Sequence, residues 1–371
     1  MTTGVKIIEI TNVDFSLRHF LLPLMRGLRA RGHEVIGVSA DGKLLDVARA
    51  EGFRIVPVPM ARSLSPVAQW RAFRALLKLF RAERPDMVHA HMPISGLLAR
   101  VAARIAGVPR VAYTCHGFLF NQPGSFLRRA VSLGAEWGAG RVTDVFLTVS
   151  REEANDARRL HLAGNPIAVG NGRDPAVFRP DPERRARVRS DLGTSEDRPV
   201  VIAVSRLVRA KGYPELAEAL ARIPDAELWV IGERLASDRG PDMAETLRGA
   251  GLGERLRLLG YRDDIAELMS GADIFVLPSY FEGLPMSVIE AMLSGLPVVA
   301  SDIRGVQEQV VSGETGLLVP PADVGALRAA IARLIDDPGL RATLGMAGRE
   351  RALALFDETK VVSRTLDVLG L

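Results

Sequence analysis

Residues 273–302 read "DIFVLPSYFEGLPMSVIEAMLSGLPVVASD" and combine an apolar run, a polar turn, a helical pattern and a second apolar run. The two apolar runs, "DIFVLP" and "LPVVAS", are continuous rather than alternating, which is typical of strands covered on both faces of a sheet. The turn ends at Pro285, a residue that is tolerated at the start of a helix. The stretch therefore predicts a strand, a loop, a helix and a second strand parallel to the first.

The same arrangement recurs along the whole chain. Strand patterns separated by longer helical patterns read "VKIIEI", "EVIGVS", "RIVPVP", "DMVHAH", "RVAYT" and "DVFLTVS" in the first half, then "PVVIAVSR", "AELWVIG", "RLRLLGY", "DIFVLPS" and "LPVVASD". A chain of 371 residues is long enough for two domains. We therefore expect an α/β protein made of two doubly wound, Rossmann-like domains.

A turn-rich stretch marks the expected boundary between the domains. Residues 169–189 read "VGNGRDPAVFRPDPERRARVR", with an Asn-Gly turn, three prolines and many arginines. We interpret the segment around residues 172–195 as the linker, and predict an N-terminal domain of residues 1–171 and a C-terminal domain of residues 172–371. The helical pattern from about residue 339 onward follows the last predicted strand, and could pack back across the linker.

Composition limits the class of protein. The chain is 47% hydrophobic and 25% charged, it contains no long apolar run, and its start "MTTGVKIIEI" leads directly into a strand pattern. These features predict a cytoplasmic protein without a membrane span, either free or at the inner face of the cell membrane. The single cysteine, Cys115, excludes a disulfide framework and a zinc site made of several thiolates.

The two halves of the chain differ in charge. Residues 1–170 contain 23 Lys and Arg against 13 Asp and Glu, whereas residues 171–371 contain 25 against 31. A basic half suggests an anionic partner, although an arginine-rich surface without a partner would look the same. Only 5% of residues are aromatic and no nucleic-acid-reading motif is present, so we expect no nucleic acid partner.

Residues 70–84, "WRAFRALLKLFRAER", are typical of a basic amphipathic helix. Trp70, Phe73, Leu77 and Phe80 recur at helical spacing beside basic residues. Such a helix could lie on an anionic membrane surface, or it could cover the sheet with its apolar face. The sequence leaves both interpretations open.

Charged residues follow the predicted strands of the second half. Arg206 and Lys211 come after "VVIAVS", and two cations at one strand end can neutralise a diphosphate. Glu282 lies in the next loop and Glu290 on the following helix. The alternatives are exposed cations at the start of a helix, and carboxylates that only complement a helix dipole or face solvent.

The first half offers three histidines and a cysteine near strand ends. His89 and His91 alternate on one strand, so their side chains share a face. Without a further ligand at suitable spacing, we predict packing or substrate contact for them rather than a metal site. Cys115 is interpreted as a small buried residue, and His116, followed by a glycine, as the better candidate for a substrate contact.

These motifs together resemble the retaining glycosyltransferases of family 4, which have the GT-B fold with two domains facing a central cleft. "SRLVRAKG" is similar to the family's diphosphate motif, and "EGLPMSVIE" to its pair of glutamates. "SDIRGVQEQVVSGETGLLVPPAD" resembles the segment that follows, and "VGNGRDPAVFRP" the interdomain linker. The resemblance covers nearly the whole chain.

The resemblance implies a nucleotide-sugar donor, with UDP favoured, and a role for each motif residue. Arg206 and Lys211 would hold the diphosphate, Glu290 the ribose and Glu282 the hexose hydroxyls. The implied further contacts are backbone N–H groups near Leu284, Met286 and Ser287, the turn from Tyr261 to Asp264 at the base, Asn12 at the donor, and His116 at the transferred sugar. The configuration would be retained by a front-face route in which the leaving phosphate takes the acceptor proton. No credible Asp-x-Asp pair follows a strand, so we expect no metal ion or cofactor, with Arg206 and Lys211 acting in place of a divalent ion.

One loop departs from the family pattern. After the first strand, "TNVDFSLRHF" contains no glycine, so a close backbone approach to the donor phosphate is not expected there. The same loop, with "SLSPVAQWRAFRALLKLF", resembles bacterial enzymes that extend saccharides on undecaprenyl diphosphate, which implies a lipid-linked acceptor.

A nucleotide-sugar epimerase of related fold and a non-catalytic partner subunit are the alternative functions.

Overall fold

The computed structural model describes residues 4–60, 65–122, 124–234, 238 and 240–371. The chain divides into two compact units. Unit 1 contains the chain up to Gly170 together with Thr359–Leu371, and unit 2 contains Asn171–Glu358. The first two residues of the quoted segment "SLSPVAQW" lie outside the described residues.

Unit 1 is built on a parallel sheet. Its strands are β1 Lys6–Ile10, β2 Glu34–Ser39, β3 Arg54–Pro57, β4 Met87–His91, β5 Arg110–Cys115, β6 Val145–Thr148 and β7 Ile167–Ala168. Its helices up to the boundary are α1 Asp14–Ser16, α2 Leu22–Ala30, α3 Leu45–Ala50, α4 Pro66–Glu83, α5 Pro93–Ala106, α6 Phe126–Gly140 and α7 Arg151–Arg159, with a π-helix at Leu17–Leu21 and a 3₁₀ turn at Leu119–Asn121. The strand order is β3-β2-β1-β4-β5-β6-β7.

Both faces of this sheet are covered, as the continuous apolar runs predict. On β1, Ile7 belongs to the apolar core on one face and Ile8 to the core on the other. Met87 and Val88 divide in the same way on β4. Neighbouring residues of a strand point to opposite faces, so such a strand must be apolar throughout.

Unit 2 repeats this architecture. Its strands are β8 Val200–Val204, β9 Glu227–Ile231, β10 Leu256–Gly260, β11 Ile274–Leu277, β12 Val298–Ser301 and β13 Gly316–Val319, in the order β10-β9-β8-β11-β12-β13. Its helices are α8 Pro182–Asp191, α9 Tyr213–Ala221, α10 Met243–Arg248, α11 Ile265–Gly271, α12 Met286–Leu293, α13 Val306–Gln309, α14 Val324–Asp336 and α15 Pro338–Leu355, with 3₁₀ turns at Arg209–Lys211 and Gly253–Arg255. The two doubly wound halves predicted from the sequence are confirmed.

Two segments differ from a simple linker and tail. The arginine-rich residues after the Asn-Gly turn form α8, and the buried Arg189 fastens it to unit 2 by donating to the carbonyl of Gly271 at 2.8 Å. The last helix, α16 Glu358–Leu369, buries Leu366 and Leu369 in the core of unit 1. The chain therefore passes between the units twice.

None of the helices in the described residues is long and apolar enough to cross a membrane.

Candidate active site

The carboxyl ends of β8 and β11 bring two loops of unit 2 together. These strands are neighbours, and the chain continues from them in opposite directions, from β8 to β9 and from β11 to β12. The backbone N–H of Tyr280 donates to the carbonyl of Ala210 at 2.9 Å. Ligands of open α/β sheets bind where the strand order reverses, which makes these loops the candidate site of unit 2.

Gly212 allows the two loops to approach closely. Its φ is +73°, and a Cβ atom at this position would lie 2.0 Å from the carbonyl oxygen of Pro278. An L side chain would meet both an unfavourable backbone conformation and a clash with backbone. The glycine of "SRLVRAKG" is therefore required by the geometry of the site.

Lys211 and Glu282 form an ion pair at this edge. Nζ of Lys211 lies 2.5 Å from Oε1 of Glu282, and both side chains are largely buried. The hydroxyl of Ser279 donates to the same carboxylate oxygen at 2.6 Å. A buried charge is costly unless it is paired, so each member of the pair holds the other in place. The structure thus brings together two residues singled out from the sequence, and adds Ser279.

Arg206 lies in the same loop as Lys211 but is more exposed. About half of its side chain is accessible, and its guanidinium pairs with Asp238, which lies beyond β9. A partly exposed ion pair of this kind contributes little to stability. Arg206 can therefore turn to an incoming anion at small cost.

Glu290 lies on α12 and is nearly buried. Nε of Arg173 donates to its Oε1 at 2.6 Å. The backbone of Arg173 is fixed in turn, because its N–H donates to the carbonyl of Phe356 at 3.0 Å. Arg173 was not singled out from the sequence, where it lies in the stretch interpreted as a linker.

The loop before α12 is fixed by its carbonyl groups. Nδ2 of Asn171 donates to the carbonyl of Leu284, and Nε2 of Gln309 to that of Pro285, both at 2.9 Å. The helix then begins at Met286, so the N–H groups of Met286 and Ser287 have no acceptor within it. Free backbone donors at the start of a helix are suited to receive an anion, and these lie close to Glu282 in the sequence.

Tyr261 and Asp264 follow β10, the edge strand of the sheet. The N–H of Tyr261 donates to Oε1 of Glu233 at 3.1 Å, and the carbonyl of Glu233 accepts from the N–H of Leu207 at 3.4 Å. The loops after β8, β9 and β10 are thereby connected along one edge. Asp264 accepts from Nε of Arg262 at 2.7 Å, and this bond lowers the pKa of Asp264.

A buried carboxylate and three histidines lie near the carboxyl ends of β1, β4 and β5 in unit 1. Glu9 on β1 has no exposed surface, and its Oε1 lies 3.0 Å from Nδ1 of His89 while its Oε2 lies 2.8 Å from Nε2 of His91. Nδ1 of His91 then lies 3.2 Å from Nε2 of His116, which follows β5. Nε2 of His89 meets the hydroxyl of Thr114 at 2.8 Å.

Burial and mutual contacts shift the pKa values of this cluster. Burial alone would raise the pKa of Glu9, but interaction with His89 and the hydrogen bonds from both imidazoles outweigh it and lower the pKa to about 2. Burial, reinforced by His89, lowers the pKa of His91 to about 4. Burial and the two neighbouring imidazoles lower the pKa of His116 well below its ordinary range. Each shift acts against protonation of the group concerned.

Glu9, His89 and His91 form the candidate metal-binding group among the described residues. One ligand atom from each lies within 4.8 Å of the others. The two histidines, however, meet different oxygens of Glu9 at ordinary hydrogen-bond distances, so a proton accounts for each contact. The sequence interpretation had not found Glu9, because a single glutamate inside "VKIIEI" gives no sign of partners some eighty residues away.

Two further residues near this edge were singled out from the sequence. Asn12 follows β1, and its Oδ1 is buried without a hydrogen-bond partner among the described residues. A buried amide oxygen of this kind is suited to accept from a ligand or a water molecule. Cys115 is fully buried, and burial raises the pKa of its thiol well above the ordinary value, which disfavours a thiolate at this position.

The chain has counterparts among known proteins over nearly its full length. Residues 17–172 match the family described as "Glycosyl transferase 4-like domain", and residues 184–351 match "Glycosyl transferases group 1". A relative named putative glycosyltransferase EpsD, from Bacillus subtilis, is 32% identical over 98% of this chain and 96% of its own. The protein is a family 4 glycosyltransferase. The family that we inferred from "SRLVRAKG" and "EGLPMSVIE" is thereby confirmed.

Two other relatives carry more specific names. An Escherichia coli enzyme named UDP-Gal:alpha-D-GlcNAc-diphosphoundecaprenol alpha-1,3-galactosyltransferase is 32% identical over 83% of the glycosyltransferase and 81% of its own chain. A Campylobacter jejuni enzyme named N,N'-diacetylbacillosaminyl-diphospho-undecaprenol alpha-1,3-N-acetylgalactosaminyltransferase is 28% identical over 96% of each chain.

Solved structures of GT-B glycosyltransferases share the fold. Anabaena HepE, crystallised with UDP and glucose, superposes with a TM-score of 0.86 over 99% of the glycosyltransferase and 100% of its own chain, at 22% identity. WaaG, a glycosyltransferase involved in lipopolysaccharide biosynthesis, superposes with a TM-score of 0.73 over 98% and 99%, at 17% identity. These likenesses establish the GT-B fold of the glycosyltransferase.

The helix α4 of the glycosyltransferase covers the sheet. Ala72, Leu76 and Phe80 are buried in the core of unit 1, whereas Trp70 remains largely exposed on the first turns. The core-facing interpretation of this helix therefore describes most of its length. Its basic residues lie on the exposed side.

The helix α6 exposes more apolar surface than α4. Phe126 is 87% exposed, Leu127 72% and Val131 64%. Arg128 is exposed beside them, and the guanidinium of Arg141 stacks on the partly exposed ring of Trp137. We call the exposed side chains Phe126, Leu127, Arg128, Val131, Trp137 and Arg141 the α6 face. The sequence analysis did not single out this face, because the sequence does not show which apolar side chains of a helix stay exposed.

Proposed function

We propose that this glycosyltransferase moves a hexose or N-acetylhexosamine from a nucleotide-sugar, with UDP-sugars first among the candidates, to a lipid-linked saccharide or polysaccharide precursor. The reaction retains the anomeric configuration and uses no metal ion or cofactor. The observation that carries the proposal is the Lys211–Glu282 pair at the point where the strand order of unit 2 reverses.

The cations of unit 2 support a nucleoside diphosphate as the leaving group. Lys211 and Arg206 lie in one loop, and Met286 and Ser287 begin α12 with free backbone donors. Negative charge develops on the departing diphosphate, so these groups stabilise the transition state more than the bound donor. They supply the charge neutralisation that a divalent ion supplies in other transferases.

The two carboxylates support a sugar on each side of the diphosphate. In the proposed complex Glu290 accepts from the ribose hydroxyls and Glu282 from the hexose hydroxyls, with Tyr261 and Asp264 at the base and Asn12 near the donor. Glu290 and Glu282 are already held by Arg173 and by Lys211 with Ser279. Pre-positioned acceptors lose little freedom when the donor binds.

The transfer step needs no enzyme nucleophile. The acceptor hydroxyl oxygen forms the new bond to the anomeric carbon on the face from which the diphosphate leaves, while the carbon–oxygen bond to the diphosphate breaks. The acceptor proton passes to an oxygen of the leaving phosphate, and free nucleotide is released. His116 contacts a hydroxyl of the sugar, and the inert Cys115 takes no part.

The acceptor class comes from the relatives named above, two of which act on diphosphoundecaprenol-linked sugars. A test is to incubate the enzyme in EDTA with single UDP-sugars and an undecaprenyl-diphosphate-linked monosaccharide. An extended lipid whose new linkage keeps the donor's anomeric configuration by NMR would support the proposal. Formation of an isomeric nucleotide-sugar without acceptor, and without free nucleotide, would instead favour the epimerase.

We also propose that unit 1 touches an anionic membrane surface through the α6 face. Apolar side chains beside arginines suit the interface of a bilayer with anionic lipids, where rings and methyl groups enter the headgroup region. The only carboxylate of α6, that of Glu136, is buried against Arg100 at 2.8 Å and adds no negative charge to the face. A lipid-linked acceptor would be reached from this position.

Vesicle flotation tests the membrane contact. The protein should float with phosphatidylglycerol vesicles at low salt, and Phe126→Ser with Leu127→Ser should reduce the bound fraction about tenfold. Met346→Ser, which changes an apolar residue of unit 2 that is 64% exposed, is the matched control. No flotation of the unaltered protein, or equal effects of both changes, would contradict the proposal.

A further inference from the structure

A chain of hydrogen bonds runs from the buried Glu9 to the half-buried ring of His116. Oε2 of Glu9 contacts Nε2 of His91 at 2.8 Å, and Nδ1 of His91 contacts Nε2 of His116 at 3.2 Å. Each contact uses a different nitrogen, so the three side chains form a single line across neighbouring strand ends. Within the described residues, Nδ1 of His116 has no hydrogen-bond partner.

The ionised carboxylate of Glu9 determines which nitrogen of each histidine along this line carries a proton. An ionised carboxylate can only accept, so Nε2 of His91 carries the proton that faces Glu9. A neutral imidazole has one N–H, which leaves Nδ1 of His91 as an acceptor. The proton between the two rings therefore belongs to Nε2 of His116, and Nδ1 of His116 remains an acceptor.

The ionised state of Glu9 is held by its surroundings. Each oxygen of Glu9 lies 2.8 to 3.0 Å from an imidazole nitrogen. An ionised carboxylate can accept a hydrogen bond at both oxygens, whereas a protonated carboxyl can accept at only one of them while it donates from the other. The same contacts lower the pKa of Glu9, as described above. An apolar side chain would fill this position in the sheet at lower cost, so packing alone does not account for a carboxylate at the centre of β1.

The backbone after His91 is also held in one conformation. Met92 adopts a φ of +65°, which is unfavourable for any residue other than glycine. The hydroxyl of Ser95 donates to the carbonyl of His91 at 2.6 Å. Backbone strain of this kind persists only where the surroundings enforce it. The ring of Phe20 packs edge-on against His116, with 5.4 Å between centroids. The rings of His91 and His116 are therefore fixed in both position and orientation.

We propose that Glu9 and His91 are positioning residues that present His116 to the sugar with Nε2 protonated and Nδ1 as a hydrogen-bond acceptor. The sugar would then donate from a hydroxyl to His116. This role rests on the proposed function, whereas the proton order itself can be measured without any substrate. His89 and Thr114 form a side branch on the other oxygen of Glu9.

Nitrogen NMR of the full-length protein labelled with ¹⁵N-histidine tests the proton order. We expect an N–H proton on Nε2 of His116 and a coupling across the hydrogen bond to the unprotonated Nδ1 of His91, with the His116 signals assigned by their loss in His116→Gln. A proton on Nδ1 of His91, or no coupling between the two nitrogens, would overturn the proposal. Neither result depends on transfer activity.

Glu9→Leu is the decisive variant. Without a carboxylate, no acceptor fixes the proton on Nε2 of His91, so both proton orders become populated and we expect the Nδ1 signal of His116 to move toward the protonated range. Transfer with an undecaprenyl-diphosphate-linked monosaccharide should fall about 10- to 100-fold in kcat/KM, since a histidine in the wrong tautomer cannot accept. Thr114→Val removes only the hydroxyl that contacts Nε2 of His89, so it should leave both the His116 signals and kcat/KM unchanged.

The outcomes separate the two proposals. Unchanged His116 signals or unchanged kcat/KM in folded Glu9→Leu would contradict the positioning role. If Glu9→Leu does not fold, the coupling measured in the unaltered protein still decides the proton order. An unaltered protein with the expected coupling but without transfer activity would contradict the proposed function and leave the proton order standing.

Discussion

At the scale of single residues, the candidate site consists of charges that are already paired. Lys211 is held by Glu282 and Glu290 by Arg173, in contacts of 2.5 and 2.6 Å. In the proposed complex, a donor diphosphate would meet a cation whose position is already fixed, so little reorganisation would be needed as charge develops.

Removing the charge of Lys211 should lower both catalysis and stability, because the buried carboxylate of Glu282 loses its ion-pair partner. We expect Lys211→Met to reduce kcat/KM about 10²–10³-fold, as for other single groups that stabilise a transition state. The matched control is Lys43→Met, because Lys43 is an exposed lysine of unit 1. Steady-state kinetics beside a thermal melt would show the difference, and equal kinetics for both variants would exclude the diphosphate role.

The Glu9 cluster should make unit 1 sensitive to acid. The pKa of His91 lies near 4 in the folded state against an ordinary 6.5, and that of Glu9 near 2 against 4.5. The unfolded chain therefore binds more protons below about pH 6.5, and stability falls as the pH is lowered. From about pH 7 to about pH 5 we expect the unfolding free energy to drop by about 1–3 kcal/mol.

Calorimetry across that pH range measures the loss, with His91→Gln as the comparison. The variant lacks the titrating ring and should show a weaker pH dependence. If the unfolding temperature of the unaltered protein does not change between about pH 7 and about pH 5, the pKa shifts assigned to Glu9 and His91 are wrong.

The sequence alone identified only some of the residues of the candidate site. Lys211, Glu282 and Glu290 could be singled out because they stand in motifs after strands. Glu9 and Arg173 could not, because their partners are distant in the sequence and a lone charge in a strand or a linker carries no local signal. Their roles depend on which strands become neighbours.

At the scale of elements, the site depends on two loops that touch. Gly212 and the hydrogen bond from Tyr280 to Ala210 bring the loops after β8 and β11 into contact. The strands themselves were predictable, since continuous apolar runs mark buried parallel strands. The two-residue β7 and the strand β13 were not predicted, the first because it is too short for a pattern.

Gly212→Ala should show how tightly the loops fit. The new methyl would lie 2.0 Å from a backbone oxygen, so the loops must separate. We expect a loss of about 1–3 kcal/mol in unfolding free energy and weaker nucleotide binding. Denaturant unfolding and nucleotide titration measure the two effects.

Gly193→Ala is the control for backbone conformation alone. Gly193 has φ +65° with no atom within 4 Å of a built Cβ, so the substitution meets strain but no clash. It should cost about 1 kcal/mol and leave nucleotide binding unchanged. Equal losses of stability and binding in both variants would contradict the importance of the close contact.

At the scale of the whole molecule, the chain combines two doubly wound units of different charge. The excess of Lys and Arg lies in residues 1–170 and the excess of Asp and Glu in residues 171–371. Composition therefore suggested an anionic partner, and the pattern of residues 70–84 suggested α4 as one possible contact. A membrane contact of α4 or of α6 stays a prediction. Among the described residues, α6 carries four exposed large apolar side chains, and only burial in the folded unit distinguishes them from core residues.

The central claim is that unit 2 binds a nucleotide without metal through Glu290 and its neighbours. Calorimetric titration of UDP and of GDP in EDTA, against the unaltered protein, Glu290→Ala and the exposed-site control Glu314→Ala, tests it most directly. We predict that one nucleotide binds in EDTA, that Glu290→Ala weakens it about 10- to 100-fold, and that Glu314→Ala binds normally. Absence of binding for both nucleotides in EDTA, or normal binding by Glu290→Ala, would contradict the claim.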